Sequence, residues 1–176
     1  MRHPLEFIPN PSRKRIFIAL LIWTFILMAV SQVINAPLRT PAAPASIVSF
    51  ELARTPERAQ AIMNSWDATV REFAALGLGF DYLFMPSYAI AIALGILLAA
   101  GRHPGAFAEI GAWLGWGVFA AAIFDALENI GLWYVLLGAA NSAWPLLSYW
   151  CALFKFGLIL LGIAYALAGW VWPRHK

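Results

Sequence analysis

The sequence has one cysteine and few charged residues, and these shortages already exclude several classes of protein. Charged residues make up 12% of the 176 residues and hydrophobic residues 62%, whereas soluble domains average about 25% charged and about 45–50% apolar residues. The single cysteine, Cys151, excludes an intramolecular disulfide and a zinc site built from several cysteines. This composition argues against a soluble domain or a disulfide scaffold and predicts an integral membrane protein.

Histidines and familiar catalytic motifs are missing from the apolar segments. His3, His103 and His175 all lie outside these segments, which argues against haem, chlorophyll or metal centres held by histidine within the membrane. The sequence has no phosphate-binding, dinucleotide-binding, serine hydrolase or zinc protease motif. The net charge of +3 is small and lies mainly beside the apolar segments, so no nucleic acid partner is expected. We therefore expect no cofactor, no metal site and no catalytic residue.

Four apolar segments are each long enough to cross a membrane, because a helix of about 20 apolar residues spans a hydrocarbon core of about 30 Å. They are residues 16–34, 78–100, 110–138 and 145–172. The last two exceed that length and are expected to tilt or to project from the membrane. The sequence predicts an all-α protein with a single integral membrane domain over residues 1–176, folded as a four-helix transmembrane bundle.

Lys and Arg residues are distributed unequally between the ends of these segments. The N-terminal flank has four of them, the loop of residues 101–105 has one and the C-terminal tail has two, whereas the loop of residues 139–144 has none. The long loop of residues 35–77 has four arginines and four acidic residues. Cytoplasmic loops carry the excess of Lys and Arg, so this distribution places both termini in the cytoplasm and the long loop on the outer side.

The outer loop contains an amphipathic helix, predicted over residues 56–76. Thr55 fits the N-cap and Pro56 the first helical position. Apolar residues then recur at helical spacing along one face: Ala59, Ile62, Met63, Trp66, Val70 and Phe73. Gly77 and Gly79 are predicted to end this helix. We expect its apolar face to pack over the outer end of the bundle; the alternative is a helix that lies on the membrane surface.

Ionisable residues inside the apolar segments are the main candidates for a functional site, because each such group is costly at membrane depth. Asp125, Glu128 and Asn129 occupy positions i, i+3 and i+4 of the third segment and so share one face. Glu128 and Lys155 both lie about 15 Å from the outer ends of their helices, at a rise of about 1.5 Å per residue. We therefore predict an ion pair between them. The complete predicted ligand-binding site is Asp81, Tyr88, Asp125, Glu128, Asn129 and Lys155.

Three carboxyl groups and one ammonium group leave this predicted site with a net negative charge if all are ionised. Either one carboxyl group holds a proton, or a cation, a cationic ligand or water shares the site. We expect the site to bind a small amphiphilic or cationic ligand or to relay protons. The alternative is a structural role, in which the pair of Glu128 and Lys155 fixes the register of the helices.

Several short motifs in residues 46–165 resemble those of a group of small four-span bacterial membrane proteins of uncharacterised function. They include Phe50-Glu51-Leu52-Ala53, Phe80-Asp81-Tyr82-Leu83-Phe84, Asp125-x-x-Glu128-Asn129 and Lys155-Phe156. The resemblance implies a location in a bacterial inner membrane and no particular activity.

The four spans, the outer segment before the second span and the acidic residues facing a cavity are also similar in outline to EXPERA-type four-helix membrane proteins. That group includes sterol isomerases and sigma-type receptors. Asp81 followed by Pro86 stands where the group places an acidic residue before a proline, whereas Lys155 is a charge that its pattern does not include. This similarity concerns architecture and does not by itself imply function.

The sequence therefore predicts a non-enzymatic inner-membrane protein whose partners are the lipid bilayer and a lipid or amphiphilic ligand. Two alternatives remain open. One is an accessory subunit that packs against a larger membrane complex, and the other is a membrane enzyme that acts on a lipophilic substrate by acid catalysis. The Gly111-x-x-x-Gly115 motif lets helices approach closely, either within the bundle or in a homo-oligomer.

Overall fold

The computed structural model describes residues 1–139 and 141–172, and these residues are mainly helical, with no strand among them. In chain order the helices are α1 (Asn10–Asn35), a 3-10 turn (Ala36–Leu38), α2 (Ile47–Glu51), α3 (Pro56–Asn64), α4 (Ala68–Ala100), α5 (Ala106–Leu136) and α6 (Ala143–Val171). Four of the helices, α1, α4, α5 and α6, are long and apolar enough to cross a membrane. The predicted fold class, an all-α four-helix bundle, is confirmed, and the chain is a multi-pass membrane protein.

The outer loop differs from the sequence prediction in two respects. Residues 56–76 form two helices instead of one, because α3 ends at Asn64 and α4 already begins at Ala68. The Asp67 side chain accepts a hydrogen bond from the backbone N–H of Val70 at 2.8 Å, and this contact satisfies one of the donors at the start of α4. Since α4 continues to Ala100, it does not end at Gly77 and Gly79.

The chain divides into two compact units, and each long helix contributes a segment to both. Unit 1 consists of Met1–Phe25, Pro86–Ile123 and Lys155–Lys176, of which residues 173–176 are outside the described part. Unit 2 consists of Ile26–Met85 and Phe124–Phe154.

In unit 1 the N-terminal segment, residues 1–9, packs against helices α4 and α5. Leu5 is buried in an apolar cluster with Ala93, Leu94 and Leu97 of α4. His3 is also buried, and the Arg2 carbonyl oxygen accepts a hydrogen bond from the Trp116 indole at 3.1 Å. The basic flank that the sequence indicates is therefore partly a packed segment.

Unit 1 also contains the close approach that the Gly111-x-x-x-Gly115 motif predicts. A Cβ at Gly111 would overlap the hydroxyl of Tyr165 on α6, and a Cβ at Gly115 would overlap the imidazole of His3. Both glycines therefore provide space for side chains of the same chain. Of the two predicted uses of the motif, packing within one molecule is the one present in this structure.

In unit 2 the outer loop forms an apolar core with the ends of α4 and α5. Thr55 caps α3 as predicted, since its side chain accepts a hydrogen bond from the Arg58 backbone N–H at 3.3 Å. The Trp66 indole donates to the Leu38 carbonyl oxygen at 2.9 Å. The core brings the outer loop together with helix residues: Leu38, Ile47, Phe50, Ile62, Met63, Trp66, Ala74, Leu78, Leu132 and Val135. The predicted apolar face thus packs on protein and not on a membrane surface.

Candidate functional site

Three of the predicted site residues lie on one buried face of α5 in unit 2. Asp125, Glu128 and Asn129 are 4%, 0% and 2% exposed. Their common face follows from the i, i+3, i+4 spacing, because these positions are neighbours on a helix. The structure therefore confirms that this polar group is turned away from the surface of the molecule, and a role for it stays a prediction.

Asn129 joins α5 to α4 through its amide nitrogen. The Nδ2 atom donates to the carbonyl oxygen of Leu78 at 3.2 Å and to Oδ2 of Asp81 at 3.4 Å. Both partners are acceptors, so the amide nitrogen and not the amide oxygen must face them. The Oδ1 atom is buried and accepts no hydrogen bond from any described residue.

Asp81 and Tyr82 lie next to each other on α4 and face this part of α5. Asp81 is half-buried, and the hydroxyl of Tyr82 donates to the carbonyl oxygen of Ala126 at 3.3 Å. With the contact to Asn129, this gives two side-chain links between α4 and α5 within about one helical turn of each other. The sequence predicted Asp81 at the site but did not assign a role to Tyr82.

Ser148 brings α6 against the same region of α5. Its hydroxyl donates to the carbonyl oxygen of Glu128 at 3.1 Å, and the side chain is fully buried. A Cβ at Gly131 would overlap this hydroxyl, so the absence of a side chain there allows the approach. Small residues are expected at such close contacts between membrane helices.

A groove of about 410 Å³ opens between α4 and α5 in unit 2. Its walls include three aromatic residues, Tyr82, Trp133 and Tyr134, which are 49%, 42% and 44% exposed. Asn129 is the buried polar residue among the lining residues, which are Leu78, Gly79, Tyr82, Asn129, Ile130, Trp133 and Tyr134. The groove therefore combines an aromatic surface with the amide that contacts Asp81.

Sequence analysis missed Glu51 as a buried acidic residue. It lies on the short helix α2 in unit 2 and is only 5% exposed. The sequence interpretation counted Glu51 with the loop acids that balance the arginines. The available signal is its position between Phe50 and Ala53, both of which are buried, within a motif of the resemblance described above.

The two remaining predicted residues, Tyr88 and Lys155, belong to unit 1. Tyr88 on α4 and Lys155 on α6 are each 5% exposed. The Lys155 ammonium nitrogen lies 4.7 Å from the centre of the Phe156 ring, a distance at which a cation and an aromatic face attract each other. The pairing of Lys155 with Glu128 stays a prediction from the sequence.

Comparison of the chain with models of known protein families, with curated proteins and with solved structures finds no match. The resemblance to small four-span bacterial proteins therefore stays an expectation from the sequence motifs.

Proposed function

We propose that this protein is a non-enzymatic, multi-pass protein of a bacterial inner membrane that binds a small amphiphilic cation in the groove between α4 and α5. The observation that carries the proposal is the composition of this groove. Exposed aromatic side chains form its walls, and the buried amide of Asn129, which contacts Asp81, forms its polar part.

The charge distribution of unit 2 favours a cation. Asp125, Glu128 and Glu51 are buried and Asp81 is half-buried. The arginines of this unit, at positions 39, 54, 58 and 71, are all exposed, and its described residues contain no buried lysine or arginine. Acidic side chains in this part of the molecule favour a cationic over an anionic ligand, and ionisable groups at membrane depth commonly mark functional sites.

The aromatic walls favour an organic cation. Tyr and Trp faces attract ammonium groups by about 0.5–2 kcal/mol each, depending on how far the contact is shielded from water. Among the described residues, no group of three or more His, Cys, Asp and Glu side chains could hold a metal ion. The volume of about 410 Å³ falls within the common range for small-ligand pockets, about 300–1,000 Å³.

The position of the groove favours an amphiphile over a fully polar cation. Trp133 and Tyr134 lie close to the end of α5 at Leu136, and aromatic residues at the ends of membrane helices commonly lie at the level of the lipid head groups. Because the walls of the groove are exposed on the molecular surface, an alkyl chain can extend into the surrounding lipid. The charged end then lies beside Asp81 and Asn129.

Binding of short-chain amphiphiles that differ only in head group tests this proposal. We expect octylammonium or octyltrimethylammonium to raise the melting temperature of the purified protein in a saturable manner, whereas octanol and octyl sulfate do not. Asp81→Asn should weaken cation binding by about tenfold, because a charge is lost while the hydrogen bond from Asn129 is kept. Glu72→Gln, which removes an exposed acidic charge from the same helix, is the matched control. Equal binding of cation and sulfate would contradict the proposal.

A second candidate, an accessory subunit of a larger membrane complex, is supported by helix α1. Only 6% of its most apolar 18-residue window is buried, compared with 61% for α4. Lipid or a partner helix covers this apolar surface in the membrane. Native mass spectrometry after purification in a mild detergent distinguishes the two candidates, since a stoichiometric protein partner supports the second and bound small cations support the first.

A further inference from the structure

We propose that Asn129 determines which cations bind, and that the preferred ligand carries at least one N–H on its charged nitrogen. This inference rests on the proposed function, because it concerns the chemistry of the ligand in the same groove. A primary or secondary ammonium group meets the requirement, whereas a quaternary ammonium group does not.

The hydrogen bonds of Asn129 define the orientation of its amide. Its nitrogen donates to Leu78 and Asp81, and turning the amide over would place its oxygen against two other acceptors. The oxygen is therefore the free end of this side chain. It is buried and accepts no hydrogen bond from the described residues, although buried acceptors in folded proteins nearly always have a donor.

Asn129 lines the groove, and the side chain itself is 2% exposed. The two contacts of its nitrogen are long, at 3.2 Å with Leu78 and 3.4 Å with Asp81, so a small rotation of the amide disturbs two hydrogen bonds that are already stretched. We expect such a rotation to bring the oxygen within reach of a ligand in the groove.

Two kinds of ammonium head group differ in whether the charged nitrogen carries an N–H. Attraction to the Asp81 carboxylate and to the faces of Tyr82 and Trp133 acts on any cation, because it depends on charge. Only a head group with an N–H can also donate to the Asn129 oxygen. A trimethylammonium group places methyl groups there and leaves the buried acceptor without a donor.

Two ligands with the same alkyl chain separate this inference from the proposed function. We expect the unmodified protein to bind octylammonium at least about tenfold more tightly than octyltrimethylammonium, which corresponds to one additional hydrogen bond of good geometry. Equal affinities would overturn the inference and leave the proposed function in place. Binding of neither cation would overturn the proposed function.

Substitution of the amide identifies the residue responsible. Asn129→Leu keeps a similar side-chain volume and should abolish the preference, so that both cations bind with equal affinity. Ile130→Val, a change in the same groove wall, should retain the preference. If Asn129→Leu folds and still prefers octylammonium, another residue sets the selectivity and the assignment to Asn129 is wrong. The comparison of the two ligands on the unmodified protein decides the inference even if this variant does not fold.

Discussion

At the scale of single residues, several polar side chains in the long helices donate to backbone carbonyl oxygens. Asn129 donates to Leu78, Ser148 to Glu128 and Tyr82 to Ala126. A helical carbonyl oxygen has a second lone pair, so hydroxyl and amide donors can be satisfied without a partner side chain. An ionised carboxylate only accepts hydrogen bonds and cannot use this solution. The acidic residues are therefore the polar groups that depend most on donors from side chains or ligands.

His3 makes the stability of the protein depend on pH. Its Nδ1 atom accepts the Leu5 backbone N–H at 3.1 Å, which requires the neutral ring, and burial followed by the nearby Arg13 lowers the pKa of His3 from 6.5 to about 4. Between about pH 4 and pH 6.5, His3 in the unfolded chain binds a proton that His3 in the folded protein does not. The contribution of His3 to stability is therefore complete above pH 6.5 and is lost as the pH falls toward 4.

We expect the melting temperature in detergent to fall by about 5 °C more for the unmodified protein than for His3→Leu when the pH is lowered from about 6.5 to about 4. Differential scanning fluorimetry at several pH values measures this. The variant serves as the reference for all other titrating groups. If the melting temperatures of the two proteins changed with pH in parallel, His3 would not be buried in its neutral form.

The ion pair that the sequence predicts between Glu128 and Lys155 is tested by a double-mutant cycle. If the pair forms, Lys155→Met leaves a buried carboxylate without its counter-ion, and we expect a loss of about 3–5 kcal/mol. Adding Glu128→Gln should recover part of that loss, because the uncompensated charge is removed. Leu153→Met, at an exposed position of the same helix, is the control. Unchanged unfolding of Lys155→Met in detergent would argue against the pair.

At the scale of elements, the outer loop shows what local patterns can and cannot specify. The cap at Thr55 and the apolar face were predictable because both depend on the spacing of neighbouring residues. The break between α3 and α4 was missed because the apolar periodicity continues through Trp66 to Phe73 across it. Asp67 is the sequence signal that could have indicated a new helix start, because aspartate is common at the N-termini of helices. In the structure its side chain accepts a hydrogen bond from the Val70 backbone N–H.

Substitution of Gly115 tests whether the order of the N-terminal segment depends on its packing against α5. Gly115→Ala places a methyl group where the His3 ring lies, and we expect a loss of about 1–3 kcal/mol from overpacking. Hydrogen exchange of residues 2–8 should increase. Gly157→Ala is the matched control, since nothing lies within 4 Å of its added Cβ, and it should stabilise α6 by up to about 1 kcal/mol. Unaltered exchange in Gly115→Ala would contradict this packing.

At the scale of the whole molecule, the four long helices were predictable from apolarity and length alone, because both are properties of continuous sequence. The buried face of α5 followed from the spacing of Asp125, Glu128 and Asn129. The burial of His3 was not predictable, because it depends on contacts with a segment that is distant in sequence. The groove also escaped prediction, since its walls combine residues of α4 and α5 that are far apart in the sequence, such as Leu78 and Asn129, which are 51 positions apart.

Cysteine labelling tests the proposed orientation in the membrane. In a Cys151→Ala background we expect a membrane-impermeant maleimide to label Gln60→Cys in intact cells, and Glu109→Cys only after permeabilisation. Both positions are exposed, one on α3 and the other near the start of α5. The reverse pattern would place the outer loop on the cytoplasmic side.

The packing of the N-terminal segment against α5 has a consequence for the synthesis of the chain. The hydrogen bond between Arg2 and Trp116 joins residues that are 114 positions apart. Residues 2–8 are synthesised before α5 and must therefore wait until α5 has been translated and inserted before they can dock. During that interval they are accessible to targeting factors and proteases, and a bulky fusion placed before Arg2 is expected to interfere with the final step of assembly.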